Sequence, residues 1–200
     1  MSAKDVAVAT IKQEHHALGM VVDMLQRLVG DITERRAQPD FALLAAALYY
    51  IDDFTERCHH PKEDEYLFKA LRRRTAQLNA VLDELQAEHI SGAQTIGYLQ
   101  RALVHYQGGA PDGLKRFKAA VDAYAVVQRD HMRKEDGLLA QMQEYLTEED
   151  WREIAAAFDA NDDPLFGDNR REEFGKLYLR IVNLLPRKMR MPMQRSRREQ

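Results

Sequence analysis

Residues 59–67 read HHPKEDEYL, and residues 131–139 read HMRKEDGLL. Both segments contain the pattern His-x-x-Lys-Glu-Asp-x-x-Leu, 72 residues apart. An earlier pair of segments, IKQEH at 11–15 and LQAEH at 85–89, lies 74 residues apart. Because the two patterns recur in the same order at nearly the same spacing, they predict an internal duplication. Each half supplies one lone histidine and, farther along, a His-x-x-x-Glu pair.

Apolar residues around these motifs recur at helical spacing, and no segment alternates as a strand would. We therefore predict an all-α fold, an antiparallel up-down four-helix bundle over residues 1–146. The predicted helices run from about Lys4 to Gly30, from Asp40 as N-cap to about Leu71, from Thr75 as N-cap to the glycine-rich turn at 108–113, and from there to about Leu146.

The C-terminal quarter is predicted to lie outside this bundle. Thr147 to Asp150 resembles a capping box and starts a helical extension over residues 147–186, which we expect to be exposed. Residues 187–200 hold six Lys or Arg against one Glu, and we predict a basic, disordered tail. A protein partner or a second copy is expected to bind through the extension, if anywhere.

Composition excludes several classes of protein. One cysteine in 200 residues excludes a disulfide framework and cysteine-rich metal sites, and a net charge of −3 gives no general attraction to nucleic acid. No run of 18 apolar residues predicts a membrane span, and the N-terminal segment lacks the apolar core of a signal peptide. We therefore expect a cytoplasmic protein without a nucleic-acid partner.

Helical phase places the repeated histidines and glutamates on the inward stripes of their helices. The predicted metal ligands are His15, His59, Glu63, His89, His131 and Glu135. Burying two carboxylates without a cation is costly, and neutral imidazoles cannot balance their charge, so a pair of metal ions is expected. Imidazole and carboxylate without thiolate suit iron, manganese or zinc, and bridging carboxylates favour di-iron or di-manganese.

The number of ligands leaves room for a further molecule. If the six ligands are shared evenly and both glutamates bridge, each metal keeps two of six positions. One would hold a bridging oxide or hydroxide, and the other would be open to a diatomic molecule or a peroxide.

One position of the ligand set is ambiguous. His60 pairs with Asp64 just as His59 pairs with Glu63, since both pairs are four residues apart. The second copy favours His59, because Met132 follows His131 there. Pro61 removes a backbone hydrogen bond and is expected to kink the second helix between the two ligands.

The paired motifs resemble the hemerythrin-like, or HHE cation-binding, domains over about residues 4–146. This resemblance implies a non-haem di-iron site with the four histidines as terminal ligands and the two glutamates as bridges. Oxygen-carrying hemerythrins have a further histidine where this chain has Ala93. The chain is therefore similar to the four-His, two-Glu branch, whose members are linked to sensing oxygen, nitric oxide or iron and to oxidative or nitrosative stress.

We accordingly expect a di-iron protein that binds oxygen, nitric oxide or peroxide. Two alternatives stay open at this stage. One is a di-iron enzyme that turns over peroxide or nitric oxide, or donates iron to damaged clusters, with Tyr124 as the only evident proton donor. The other is a regulatory interaction module that metal holds together.

Overall fold

The computed structural model describes residues 1–167 and 171–184, and within these ranges the chain is helical, without a strand. The α-helices are α1 (Ala3–Thr33), α2 (Phe41–Tyr50), α3 (His60–Lys62), α4 (Lys69–Arg74), α5 (Asn79–Gln107), α6 (Gly113–Gln141), α7 (Glu148–Asp159) and α8 (Gly175–Leu184). Among the described residues, no helix is both long enough and apolar enough to span a membrane. The predicted basic tail at 187–200 lies outside the described residues.

The helices α2, α3 and α4 are parts of one helical run over residues 41–74. Two π-helical segments, Ile51–His59 and Glu63–Phe68, connect them. Pro61 lies between these segments and cannot donate a backbone hydrogen bond, while the N–H of His60 bonds to the carbonyl of Thr55 five residues earlier. A wider helix relieves the proline ring of its clash with the preceding turn. The chain therefore passes Pro61 without ending the helix.

Four long helical runs form the predicted bundle, namely α1, residues 41–74, α5 and α6. The first helix packs against α6 and α2, and α5 packs against the same two neighbours from the opposite side. Short connections at 34–40, 75–78 and 108–112 join successive helices, so neighbouring helices run antiparallel. The all-α, antiparallel four-helix bundle expected from the sequence is confirmed.

Of the N-cap residues predicted for the second and third helices, the structure confirms one. The Asp40 carboxylate accepts the N–H of Leu43 at 3.0 Å, and this N-cap is confirmed. The prediction for Thr75 is wrong, because the third long helix begins at Asn79. Thr75 is extended, and its hydroxyl accepts the N–H of Gln77, so it closes a turn before the helix instead of capping it.

The apolar core is divided into two clusters along the bundle. One contains residues 18–32 of α1 with parts of α2, α5 and α6, and the other contains Ala7 and Ile11 with α4, the start of α5 and the end of α6. The two motifs are spaced almost equally in the two halves, and the histidines of both halves lie between these clusters. A polar layer therefore crosses an otherwise apolar interior.

The C-terminal extension is not exposed, contrary to the expectation from the sequence. Trp151, Ile154 and Phe158 of α7 are buried in one cluster, and Leu165 and Phe174 are buried in the other. The sequence placed apolar residues on these helices but did not show what they would cover. In the structure they cover α1 and the second helical run.

Candidate metal centre

Five histidines and two glutamates form the polar layer between the two core clusters. All seven side chains are buried, and Glu63 has no exposed surface. The residues are His15 from α1, His59, His60 and Glu63 from the second helical run, His89 from α5, and His131 and Glu135 from α6. Each bundle helix thus contributes at least one side chain.

These side chains divide into two groups that can each hold a cation. The first group is His15, His59, Glu63 and Glu135, and the second is His60, Glu63, His89 and His131. Within each group one nitrogen or oxygen atom of every residue lies within 4.8 Å of the others. Glu63 belongs to both groups, as a bridging carboxylate would. All six residues singled out by the sequence are brought together, with His60 beside them.

The choice between His59 and His60 does not arise in the structure, because each belongs to a different group. Consecutive side chains of a helix diverge by roughly 100°. His59 therefore points to α1, where its ring lies 5.0 Å from the ring of His15. His60 points to α5 and stacks on His89 at 4.1 Å.

A carboxylate stands behind every one of the five imidazoles, on its Nδ1 side. The Nδ1-to-carboxylate distances are 2.6 Å for His59 and Glu14, 2.8 Å for His131 and Glu88, 3.1 Å for His89 and Asp64, 3.2 Å for His60 and Glu56, and 3.5 Å for His15 and Asp136. A protonated Nδ1 facing a carboxylate leaves Nε2 as the free lone pair. The rings are thus oriented as metal ligands commonly are.

The Nε2 atoms of four of these histidines face the two central carboxylates. They lie 3.1–3.5 Å from oxygen atoms of Glu63 or Glu135. Even so, both oxygens of Glu63 and Oε2 of Glu135 have no hydrogen-bond partner of acceptable geometry. Buried carboxylate oxygens without partners are rare in folded proteins. A cation between the two sets of atoms would satisfy them, so the donor set fits a metal pair.

The charges of the layer are mutually dependent. Burial alone would raise the pKa of Glu63, but the surrounding His59 and His15 lower it to about 2. Burial also works against protonation of His59 and His89, yet neighbouring carboxylates raise their pKa values to about 9 and about 10. Without a cation, protons on the imidazoles therefore balance the two central carboxylates. Bound metal would replace those protons.

His60 differs from the other four histidines. Burial, followed by repulsion from His89 and His59, lowers its pKa well below the usual value, so the ring is neutral. The side chain of its partner Glu56 is only 3% exposed, and this burial raises the pKa of Glu56 to about 7. Gly92 makes room for this pair, since a Cβ there would lie 2.7 Å from Glu56 Oε2.

Two further polar side chains lie in the core on the side of Glu56. The hydroxyl of Tyr124 and the amide nitrogen of Gln128, one turn apart on α6, are buried without a hydrogen-bond partner. Burial, together with the Glu56 carboxylate, raises the pKa of Tyr124 well above its usual value, so the hydroxyl keeps its proton. Tyr124 is therefore a neutral donor on the side of Glu56, the carboxylate behind His60.

A surface pocket of about 560 Å³ reaches the first group. Its lining includes His15, the partly buried Met132 and Gly19, with Lys12 and Arg129 among the charged residues. A Cβ at Gly19 would meet the terminal carbon of Met132 at 3.9 Å, so glycine leaves the space beside this side chain open. Of the seven central side chains, His15 is the one that lines this pocket.

The prediction from the sequence missed one set of residues. The two remaining histidines, His16 and His105, are exposed, and neither joins the layer. The carboxylates behind the imidazoles were missed, although four of them carried a signal, since they lie inside the repeated motifs. These four are Glu14, Asp64, Glu88 and Asp136.

Comparison with known proteins agrees with this geometry. The family model of the hemerythrin HHE cation binding domain matches residues 6–143, which include all seven central side chains. Neither the curated proteins nor the solved structures gave a significant match. The match ends before α7, so the extension lies outside it.

Proposed function

The chain belongs to the hemerythrin HHE cation-binding family, and from that premise we propose that it binds two iron ions and takes up oxygen, nitric oxide or peroxide at them. Sensing of these molecules, or protection against oxidative or nitrosative stress, is the role that this chemistry serves. We also propose that the protein acts in the cytoplasm, where its free cysteine, Cys58, would stay reduced.

The observation that carries the proposal is the pair of buried four-residue groups with Glu63 in common. His15, His59, Glu63 and Glu135 would hold one ion. The other would be held by His60, His89 and His131 together with Glu63. This set adds His60 to the ligands expected from the sequence and keeps the other six. Imidazole and carboxylate without thiolate suit iron or manganese, and zinc is the third possibility.

The two positions would offer unequal numbers of donors if both glutamates bridge. The position of His15 and His59 then has two nitrogen and two oxygen donors. The other position then has three nitrogen and two oxygen donors, because Oε1 of Glu135 also faces Nε2 of His89 and His131. Six-coordinate iron would therefore have more room for an external ligand at the first position. The pocket lined by His15 and Met132 lies on the same side, which gives a small molecule a short path to it.

Bound iron would supply reversible electron transfer to such a ligand. The protein residues do the rest. The carboxylates hydrogen-bonded at Nδ1 fix the tautomer and direction of four of the imidazoles, and the two apolar clusters on either side keep bulk water out. Tyr124 offers a neutral hydroxyl toward the layer from the side of Glu56.

Turnover is the second candidate function, and the buried hydroxyl of Tyr124 is the observation that favours it. An enzyme that reduces peroxide or nitric oxide consumes protons and needs a proton donor near the ligand, whereas one that repairs clusters with donated iron does not. Consumption of peroxide or nitric oxide in excess of iron would support the enzyme. A stoichiometric reaction would support the binding protein. If the protein is an enzyme, replacement of Tyr124 by Phe should abolish turnover without changing the iron content.

The test is metal analysis of protein from iron-replete cells, followed by titration with nitric oxide and peroxide. The proposal predicts two iron ions per chain and a spectrum that changes on reduction and returns in air. Protein that holds zinc alone, or no metal, and shows no such spectrum would contradict it. If metal removal unfolds the chain, the interaction module gains support, because binding energy is then folding energy.

A further inference from the structure

We propose that the C-terminal extension completes the metal centre, with Asn161 as the residue that positions Glu14 behind His59. Asn161 follows α7 and lies outside residues 6–143, the part of the chain that matches the family model. The inference rests on the proposed function, since it assigns a role toward the same cations. It goes further because it makes a segment outside the family domain part of the site.

The contacts form a direct line from the extension to the centre. The side-chain amide of Asn161 donates to Oε1 of Glu14 at 3.1 Å and to Oε2 at 3.2 Å. Oε2 of Glu14 lies 2.6 Å from Nδ1 of His59. An ionised carboxylate only accepts hydrogen bonds, so the amide nitrogen must face it, and the amide oxygen is indeed left without a partner.

Packing holds Asn161 in place. Its backbone N–H bonds to the carbonyl of Phe158 at 2.9 Å, just where α7 ends. The ring of Phe158 has no exposed surface and contacts the ring of His59 edge-on at 5.9 Å. Two residues farther, Asp163 accepts the hydroxyl of Tyr50 at 3.1 Å. The turn that carries Asn161 is thus attached to the second helical run on both sides.

In the other half of the bundle, the glutamate behind the equivalent histidine has a different partner. Glu88, which stands behind His131, forms an ion pair with Lys134, and its side chain is 25% exposed. The side chain of Glu14 is only 6% exposed and takes a neutral amide as its second partner. An ammonium group neutralises a carboxylate, whereas an amide orients it and leaves its charge. Glu14 therefore gives His59 a stronger anionic partner than Glu88 gives His131.

The consequence for bound metal is specific to one position. A carboxylate on Nδ1 raises the basicity of an imidazole and fixes its direction, and loss of such a partner typically costs 10- to 100-fold in metal affinity. Asn161 should therefore influence the cation held by His15 and His59. It should not influence the cation held by His60, His89 and His131.

The experiment uses the full chain, stripped of metal and titrated with Co²⁺, whose visible spectrum reports ligand geometry. In the Asn161→Ala variant, one of the two Co²⁺ affinities should fall about tenfold and its absorption band should change, while the other stays constant. Asn161→Asp should cost more, because a second carboxylate would face Glu14. Asp159→Asn, at an exposed position in the last turn of α7, serves as the matched control and should change neither affinity.

Lys134→Met provides the reciprocal comparison, because it removes the partner of Glu88 and should affect the other Co²⁺ ion only. Affinities and spectra of the Asn161 variants that stay within about twofold of the original chain would overturn the inference. An equal fall at both positions, accompanied by lower stability of the metal-free protein, would also overturn it, since that result describes a packing role. An original chain that takes up no Co²⁺ would overturn the proposed function itself.

Discussion

The two halves of the bundle place equivalent side chains around one site, yet they build two unequal cation positions. In each half, a glutamate on the first helix stands behind a histidine on the second, as Glu14 does for His59 and Glu88 does for His131. The acidic residues that follow the central glutamates reach across to the other half. The duplication therefore fixes a nearly two-fold arrangement of ligands and their supports.

Single replacements then break the symmetry. His60 in the first half corresponds to Met132 in the second, so one cation group gains an imidazole and the other faces a thioether and a surface pocket. The supports differ as well, because the extension serves Glu14 and Lys134 serves Glu88. Through a few residue differences, the duplicated bundle thus has one closed cation position and one that is accessible from the surface pocket.

The largest expected effect separates the two central glutamates. Glu63→Gln should abolish binding of both cations, because Glu63 belongs to both groups. Glu135→Gln, the equivalent change in the other half, should weaken both positions without abolishing either, because Oε2 of Glu135 faces His15 while its Oε1 faces His89 and His131. Metal content after dialysis, measured for both variants beside the original chain, checks this difference. Identical losses in the two variants would show that the groups are not divided as described.

The extension should contribute strongly to the stability of the fold. Phe158→Ala removes a ring without exposed surface that packs against His59, and such changes cost about 3–5 kcal/mol. Urea unfolding of the metal-free chain measures the loss. Val127→Ala, at an exposed position of α6, should cost less than about 0.5 kcal/mol. A loss below about 1 kcal/mol in the Phe158 variant would mean that the extension is loosely attached.

Making the halves alike is the next test. His60→Met gives the first half the residue of the second. It should lower one of the two metal affinities by more than about 100-fold, since that is the upper end for losing only the partner behind a ligand. The reverse change, Met132→His, adds a donor beside the pocket and should reduce nitric oxide binding to the iron-loaded protein without loss of iron. Calorimetric titration and stopped-flow absorbance measure these results. Equal weakening of both positions by His60→Met would contradict the assignment of His60 to one group.

The smallest expected effect concerns the contact that attaches α7 to the first half. Burial opposes ionisation of Asp150, but hydrogen bonds from Arg74 and Thr147 outweigh it and lower the pKa of this carboxyl to about 2. A lowered pKa stabilises the fold above the unfolded value near 3.8, and the gain disappears as the pH falls to about 2. Asp150→Asn should therefore cost about 2 kcal/mol at pH 7, and most of that cost should be gone near pH 2.

Unfolding free energies of Asp150→Asn and the original chain, compared across that pH range, check the sign. Glu153→Gln, an exposed neighbour on α7, is the control and should show no such pH dependence. A cost in the Asp150 variant that persists at pH 2 would assign the effect to packing.

Much of this fold could be predicted from the sequence, since apolar spacing fixes four long helices and the duplicated motifs fix which faces meet. The start of the third helix at Asn79 could not, because Thr75 is equally suited to an N-cap and to the turn that it forms. The burial of α7 and α8 could not either. An amphipathic helix shows that it covers something, but not what it covers.

For the candidate site, spacing within the repeats indicated six side chains and left His60 as an alternative to His59. His59 and His60 can both point inward because of the π-helical segments around Pro61, and no spacing pattern in the sequence predicts these segments. The repeat itself argued against His60, because Met132 occupies the equivalent position. Asn161 lies 147 residues from Glu14 in the chain, so only the folded structure brings them together.

The measurement that tests the central claim most directly is the iron content of the full chain and of its Glu63→Gln variant, both purified from iron-replete cells. The account predicts two iron ions in the original chain, since each buried group holds one, and none in the variant that lacks the shared carboxylate. Iron retained by the variant, or a single iron in the original chain, would contradict two cation positions joined by Glu63.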